Sequence, residues 1–283
     1  MRAMTTPPSL TDRIALARNR ARAATLPDRA LFLQREVVDE VQERLTEVNR
    51  TFTDVAVVTG EPALWQAAMP GARTLGDGPV LDLAPASQDL VIHALCLHWA
   101  DDPVGQIVQC ARALRPDGMF IAALFGGRTL HELRACLAEA EVAATGGLSP
   151  RVLPMGEIRD LGGLVQRAGL ALPVADSVTR SVSYRDALHL MSDLRSMGEG
   201  NALHARQRRF TMRAVIADAA ARYAEGFAQP DGKVRATFEI IFLTGWSPHE
   251  GQQKPLRPGS AAGRLADALG VRETPLQRES GGD

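Results

Sequence analysis

The segment that most constrains the fold is residues 89–134, in which two apolar runs flank a helical pattern and a tight turn. Its sequence reads DLVIHALCLHWADDPVGQIVQCARALRPDGMFIAALFGGRTLHELR. The first run, residues 90–97, is apolar apart from His93, which is typical of a parallel strand covered by helices on both faces. Asp101 or Asp102 can cap the helix that follows, and the turn RPDG leads into the second run. The order of strand, crossover helix and strand predicts a βαβ unit.

Strand and helix patterns alternate along the rest of the chain. A β-branched run at 54–58 predicts the first strand, residues 72–75 a second, and residues 80–83 a weak third. The β-rich run at 234–246 suits an antiparallel edge strand that closes the sheet. We therefore predict a doubly wound, mostly parallel, seven-stranded Rossmann-like α/β sheet, with helices before it and a helical insertion before its last strand.

The same patterns predict how the chain is divided. Residues 1–50 form an N-terminal helical segment, and residues 51–247 form the sheet domain, with the helical insertion at about 185–228. Residues 248–283 are rich in glycine, proline and charge, which predicts a mobile tail.

Charge and cysteine content exclude several classes of function. The net charge is -1, so there is no global electrostatic case for binding nucleic acid. Arginine supplies most of the basic residues, which we attribute to codon usage. The three cysteines lack metal-ligand spacing and indicate reduced thiols and no metal centre. No apolar run approaches membrane-spanning length, and the N-terminus lacks a secretory core. We expect a bacterial cytoplasmic protein, with peripheral membrane association and oligomeric state left open.

Several blocks of the sequence resemble one branch of the class I S-adenosylmethionine (SAM) methyltransferases. The branch contains the respiratory complex I assembly factor 5 proteins, with the malonyl-acyl-carrier-protein methyltransferases as more distant cousins. LRPDG is common to many methyltransferases, whereas the blocks FGGRTLHELR and DLRSMGEGN are more specific to the branch. The resemblance covers roughly residues 10–261. It implies a methyltransferase fold, SAM as cofactor and a protein substrate, with a complex I subunit as the candidate partner.

The cofactor loop is where this sequence departs from the family pattern. The family's first strand leads into an Asp-x-Gly-x-Gly-x-Gly loop, whose glycines let the backbone approach the cofactor. The corresponding segment here is AVVTGEP, which keeps only Gly60 of the three glycines. By the resemblance, Asp77 is the candidate to grip the ribose hydroxyls, and Asp82 the candidate to meet the adenine. Leu97 is a further candidate cofactor contact. The loss of the glycines predicts a weakened SAM site.

The candidate catalytic residues come from two distant parts of the chain. His98 and Trp99 close a predicted strand at the carboxyl end of the sheet, where ligands of open α/β sheets bind. A packing pair at the strand–helix turn is an equally supported alternative. The resemblance adds Glu199 and Asn201, which lie in a loop between predicted helices, where the neighbouring glycines are otherwise ordinary helix terminators.

A third group of candidates is predicted on the substrate side. Gly126, Gly127 and Arg128 follow a strand and precede a helix, so their amides could be offered to an anion. The alternatives are a tight strand-to-helix connection and a local salt bridge from Arg128 to Glu132, one helical turn away.

The sequence favours a SAM-dependent methyltransferase-like protein that modifies a protein substrate, in the context of respiratory complex I assembly. Because the branch is linked to arginine hydroxylation as well, the resemblance leaves methylation and hydroxylation both open. The alternative function is that of a non-catalytic, degenerate paralogue that acts as an assembly chaperone.

Overall fold

The computed structural model describes residues 9–252, in which helices and strands alternate along the chain. The helices are α1 Arg13–Ala24, α2 Phe32–Glu47, α3 Pro62–Ala68, α4 Pro103–Ala113, α5 His131–Thr145, α6 Ile158–Arg167, α7 Ala187–Ser196 and α8 Arg213–Gly226, with a 3-10 turn at Leu97–Trp99. The strands are β1 Val55–Thr59, β2 Arg73–Leu75, β3 Gln88–Ala94, β4 Leu114–Phe125, β5 Ala171–Tyr184 and β6 Val234–Trp246.

The strands form one mixed, mostly parallel sheet in the order β2-β1-β3-β4-β6-β5. Strands β2, β1, β3 and β4 are parallel to one another, whereas β6 is antiparallel to both β4 and β5. The doubly wound α/β prediction is therefore confirmed. The βαβ unit predicted from residues 89–134 is the pair β3 and β4 with α4 between them, and Asp102 caps that helix by accepting a hydrogen bond from the Gly105 amide at 2.8 Å.

Two details of the predicted sheet are wrong. The described sheet has six strands rather than seven, because residues 80–83 do not pair with a strand. Instead, the Leu81 amide donates to the side chain of Gln109 on α4, at 2.8 Å, and Leu81 packs against the apolar side of that helix. In addition, β6 lies inside the sheet, and β5 occupies the edge. The apolar run of β6 is buried on both faces, whereas β5 has many exposed side chains, so β5 tolerates the edge position better.

Helices cover both faces of the sheet because successive side chains of each buried strand point in opposite directions. Ile92 and Ile121 belong to a core with α2, α5, α7 and α8. Val91 and Phe120 belong to a second core with α4 and α6. The largely apolar strands seen in the sequence thus supply both cores.

The N-terminal segment is tied across the carboxyl end of the sheet. Asp101 accepts hydrogen bonds from the amides of Leu10 and Thr11, at 2.8 and 2.9 Å. The Thr11 hydroxyl donates to the carbonyl of Trp99 at 2.8 Å, and Thr11 also forms a β-bridge with Leu203. These contacts hold α1 above the edge of the sheet where ligands of this fold class bind.

The compact unit that contains α1, α2 and the sheet ends at His249. The mobile tail predicted at 248–283 lies almost entirely outside the described residues, and the division at residues 50 and 247 stays a prediction. Among the described residues, no helix is long and apolar enough to cross a bilayer, and no three His, Cys, Asp or Glu side chains are grouped as metal ligands.

Candidate functional site

The candidate cofactor crevice lies at the carboxyl ends of β1 and β3. The chain leaves β1 towards β2 on one side, while β3 lies on the other side, so the strand order reverses at this point. Open α/β sheets bind their ligands in the crevice that such a reversal creates. Gly60 follows β1 directly, and the turn Leu97–Trp99 follows β3 closely. The topology therefore makes the space beside Gly60 the candidate cofactor position, and its role stays a prediction.

An arginine of the chain itself enters this crevice. The guanidinium of Arg20, on α1, lies so close to Gly60 that a Cβ placed at Gly60 would be 2.8 Å from Arg20 Cζ. The absence of a side chain at Gly60 therefore makes room for Arg20. In the family pattern, the glycines of this loop serve the approach of a cofactor.

Asp77 binds the same arginine and a second one. Its carboxylate accepts from Arg20 Nη1 at 2.7 Å and from Arg13 Nη2 at 2.9 Å, and its backbone oxygen accepts from Arg13 Nη2 at 2.6 Å. The Asp77 side chain is 6% exposed. Burial alone would raise the pKa of this carboxyl, but the charges and hydrogen bonds of Arg20 and Arg13 outweigh it and lower the pKa to about 2. Asp77 is therefore an ionised, doubly paired carboxylate.

The neighbouring acidic residue, Glu61, is occupied in the same way. Its two carboxylate oxygens accept from the two terminal nitrogens of Arg29, at 2.5 and 2.6 Å. Arg29 lies in the connection between α1 and α2. Acidic groups after β1 and after β2 are thus both bound to arginines of the N-terminal segment.

The other two predicted cofactor residues have different surroundings. Asp82 is exposed and pairs with Arg73 of β2. Leu97 is 1% exposed and packs in the apolar core beside Val58 and Ile107. Arg20 therefore contacts both Gly60 and Asp77, whereas Asp82 lies on the surface. A cofactor role for the four residues stays a prediction.

These surroundings do not fit SAM in the arrangement that the structure describes. A ribose hydroxyl needs a carboxylate that is free to accept its hydrogen bonds, and both oxygens of Asp77 already face arginines. The space beside Gly60 holds the Arg20 side chain. A ligand of this crevice would have to displace α1, or at least its arginines.

Sequence reasoning missed Arg13 and Arg20, since they were read as part of an arginine-rich composition. A signal for them was present. The two residues are seven positions apart on α1, so they lie on one face of the helix, two turns from each other. A pair of cations on one face needs an acidic partner when that face is buried.

Three of the four candidate catalytic residues, His98, Trp99 and Glu199, meet beside the turn that follows β3. Trp99 Nε1 donates to Glu199 Oε2 at 2.7 Å, and His98 Nε2 lies 3.4 Å from the same oxygen. The His98 ring also packs on Phe125, with centroids 4.9 Å apart. Burial alone would raise the pKa of Glu199, but its interaction with His98, the charge of Arg20 and the hydrogen bond from Trp99 outweigh it and hold the pKa below its ordinary value. Glu199 can therefore accept hydrogen bonds as a carboxylate at neutral pH.

Asn201 has a local structural role in addition to its place near the site. Its amide nitrogen donates to the carbonyl of Pro150 at 2.9 Å, and its oxygen accepts from the Leu203 amide at 3.0 Å. These bonds hold the loop after α7 in place. A catalytic role for Asn201 stays a prediction, as do those for His98, Trp99 and Glu199.

The turn at Gly126, Gly127 and Arg128 uses its amides within the chain. The Gly126 amide donates to the carbonyl of Glu239, and the Gly127 amide to the carbonyl of Gly156. The Arg128 amide donates to the Glu239 carboxylate at 3.0 Å. The arrangement is that of a tight strand-to-helix connection, with a carboxylate of β6 in the position predicted for an external anion. The substrate role of the turn stays a prediction.

The alternative explanation of Arg128 and Glu132 as a local salt bridge is wrong. The Glu132 side chain is fully buried, and its carboxylate accepts from the hydroxyl and the amide of Thr237 on β6. It therefore fastens α5 to the sheet, while Arg128 is exposed.

Close packing at the turn leads to a testable expectation. A Cβ added at Gly126 would lie 2.5 Å from Glu239 Oε2 and 2.7 Å from Ile241 Cδ1. We expect Gly126→Ala to lower the free energy of unfolding by about 1–3 kcal/mol, as overpacking does. Gly163→Ala is the matched control, because a Cβ there meets no atom within 4 Å and α6 would gain up to about 1 kcal/mol of helix propensity. Urea denaturation measures both, and equal stability of the two variants would contradict the packing described.

A largely apolar cavity of about 240 Å³ opens beside Trp99 and Glu199. Its walls come from the end of β4, from α5, α7 and α8, and from the loops between them. The apolar lining consists of Trp99, Phe125, Leu130, Leu133, Leu137, Val152, Leu153, Met155, Met191, Leu194, Met197, Ile216 and Phe238. Its polar groups include Glu199, Asn201 and two arginines, Arg151 and Arg195. The cavity can take an apolar group of a ligand or partner and place a polar end near the Glu199 carboxylate.

The chain is similar to known proteins over most of its length. It is 39% identical over 196 residues to arginine-hydroxylase NDUFAF5 of Homo sapiens, covering 69% of this chain and 56% of that protein. With malonyl-[acyl-carrier protein] O-methyltransferase of Xylella fastidiosa it shares 30% identity over 270 residues, covering 84% of this chain and 89% of that protein. The chain spans only 42% of the arginine-hydroxylase of Dictyostelium discoideum and 62% of that of Danio rerio.

Two further matches are to a solved structure and to a family model. A solved structure of phosphoethanolamine N-methyltransferase 2 of Haemonchus contortus, in complex with SAM, superposes with a TM-score of 0.39 at 13% identity. The superposition covers 75% of this chain and 53% of that one. A family model described as a methyltransferase domain matches residues 37–122. The Xylella relative, matched over 84% of this chain, and the methyltransferase-domain model show that the chain belongs to the class I SAM-dependent methyltransferase family.

Proposed function

We propose that this methyltransferase-family chain acts as an assembly factor that binds a protein partner, without SAM in the standard crevice. The observation that carries the proposal is the side chain of Arg20, which lies on Gly60 and is paired with the buried Asp77. We further propose a subunit of respiratory complex I as the partner, and the bacterial cytoplasm as the location. Support for the partner comes from the arginine-hydroxylase relatives and from the sequence blocks shared with the complex I assembly branch.

The energetic cost of opening the crevice supports this proposal. Separating one partner from a buried ion pair costs about 3–5 kcal/mol. A cofactor that must first open a site at a cost of about 3 kcal/mol binds roughly 100-fold more weakly than to a site already open. A cofactor with an intrinsic dissociation constant of some tens of micromolar would then bind only in the millimolar range.

A second candidate function is a SAM-dependent enzyme that modifies a protein substrate. The cavity beside Trp99 and Glu199 favours it, because the cavity gives an apolar side chain or stem a place next to an ionised carboxylate. In such an enzyme, α1 would move away from Gly60 before SAM binds. Proximity and orientation supply much of the acceleration in group transfer, so a strong base would not be required.

A deletion strain distinguishes the two functions. We expect removal of the gene to lower the amount of assembled complex I on native gels, while the masses of its subunits stay unchanged. Re-expression of the chain with Glu199→Gln should restore assembly, since glutamine keeps an acceptor for Trp99 Nε1. If the deletion instead removes the mass of a methyl or hydroxyl group from a subunit, and Glu199→Gln fails to return it, the enzyme function replaces our proposal. Unchanged assembly together with unchanged subunit masses would refute both.

A further inference from the structure

A basic and apolar loop stands out on the surface between α7 and α8. Residues 204–213, HARQRRFTMR, are defined here as the basic–apolar loop. Phe210 has an exposed fraction of 104%, and Met212 one of 51%. Neither side chain is part of an apolar cluster among the described residues. A fully exposed phenylalanine beside a second large apolar side chain is typical of a surface that binds something.

The loop also concentrates positive charge in a chain whose net charge is -1. It contains four arginines, Arg206, Arg208, Arg209 and Arg213, and the sequence has no acidic residue from 200 to 217. Asp12 pairs with Arg206 at 2.9 Å and lies 3.6 Å from Arg208. Arg209 and Arg213 have no ion pair within residues 9–252. The carboxylate of Asp12 thus pairs with two of the four arginines, and the described part of the loop has an unbalanced positive charge.

A neighbouring loop extends the apolar part of this surface. The Thr211 hydroxyl accepts a hydrogen bond from Arg151 Nη1 at 2.9 Å, which ties the basic–apolar loop to the segment before α6. Leu148, three residues before Arg151, has an exposed fraction of 67%. Three residues span about 10 Å at most. Leu148, Phe210 and Met212 are therefore held near one another by this contact.

We propose that the basic–apolar loop docks the protein on an anionic lipid surface. Arginines attract anionic headgroups, and their long stems let the guanidinium stay at headgroup level while nearby apolar side chains go deeper. Phe210 and Met212 can enter the boundary between headgroups and acyl chains without a preformed groove. An acidic protein would neutralise the arginines as well, but it would need an apolar pocket for Phe210. A lipid surface satisfies the charged and the apolar side chains together.

Docking by the basic–apolar loop would also place the cavity mouth beside the lipid surface. Arg151, which holds the basic–apolar loop, also lines the cavity, and so does Ile216 on the first turn of α8. A surface bound by the loop therefore lies beside the cavity mouth. The proposal is independent of SAM binding and of complex I, since it rests on side chains outside the crevice.

Vesicle flotation of the full chain tests the proposal. We expect it to float with vesicles of phosphatidylcholine and phosphatidylserine, and to stay in solution with phosphatidylcholine alone. Arg209→Gln and Arg213→Gln should each weaken partitioning about 5-fold, and Phe210→Ala about 10-fold or more. Matched controls are Arg185→Gln, whose side chain is 79% exposed, and Val80→Ala, at 83%. Both controls should float as the wild type does.

Two results would overturn the proposal. The first is equal behaviour with the two vesicle types. The second is anionic-vesicle binding that the arginine substitutions weaken but Phe210→Ala leaves unchanged, because the loop would then act by charge alone, as expected for an acidic protein partner. All substituted residues are on the surface, and circular dichroism verifies that each variant is folded.

Discussion

Asp77→Asn should lower the free energy of unfolding by about 3–5 kcal/mol, which is a large part of the stability of an ordinary domain. Asparagine keeps the shape of the side chain but removes its charge. Arg20, whose side chain is only 16% exposed, would then lie against Gly60 without the carboxylate that accepts its hydrogen bond. The second cation, Arg13, would lose the same partner. Leaving a buried cation unpaired accounts for the size of the effect.

A matched variant separates the effect of breaking this buried ion pair from the effect of removing an aspartate at an exposed position. Asp82→Asn removes a carboxylate five residues away whose side chain is 90% exposed and paired with Arg73. We expect it to change the free energy of unfolding by less than about 1 kcal/mol, as exposed ion pairs do. Urea denaturation of the two variants gives the comparison. Similar, small effects in both would show that Arg20 is not held in the crevice by Asp77.

The free energy of unfolding at acid pH provides a second test of the ion pair between Asp77 and Arg20. The folded pKa of Asp77 is lowered from its ordinary value of 3.8 to about 2. A group with a lowered folded pKa stabilises the protein above its unfolded pKa, and that contribution is lost as the pH falls through the folded pKa. A difference of nearly two pKa units corresponds to about 2 kcal/mol. We therefore expect the wild type to lose this amount between about pH 4 and pH 2, while Asp77→Asn shows no such loss from this position.

The sheet could be predicted because its central strands are buried on both faces. Residues 119–125 are apolar without interruption and residues 90–94 are apolar except for His93, so the pattern excluded an exposed antiparallel strand. Residues 80–83 are also apolar in part, and the sequence suggested a strand. Proline occurs on both sides of that segment, at 79 and 85, and the Leu81 amide has a side-chain partner on α4 instead of a strand. Local β propensity was overridden by a tertiary contact.

The site was harder to predict, because its residues come from distant parts of the chain. Glu199 lies 100 positions from Trp99, and only the resemblance to a family suggested a site role for Glu199. Arg20 lies 57 positions from Asp77. Neither residue belongs to a motif with fixed spacing, and the arginine-rich composition hid Arg20 among similar residues. Pairing at this separation depends on how α1 is fastened across the sheet, which single-sequence patterns do not encode.

Binding of S-adenosylhomocysteine shows the second large effect that we expect. If Arg20 and Asp77 close the crevice, the ligand must break a buried ion pair before it binds, and its affinity falls roughly 100-fold. The Xylella fastidiosa methyltransferase, which is 30% identical to this chain, is a suitable comparison in the same buffer. The relevant quantity is the difference in dissociation constant between the two proteins.

Isothermal titration of the full chain with S-adenosylhomocysteine tests the closed crevice most directly. We expect a dissociation constant in the millimolar range or no measurable heat, under conditions in which the Xylella protein gives a clear binding curve. A micromolar dissociation constant for this chain, lost on Asp77→Ala and kept on Asp82→Ala, would contradict a closed crevice and would establish Asp77 as a cofactor ligand.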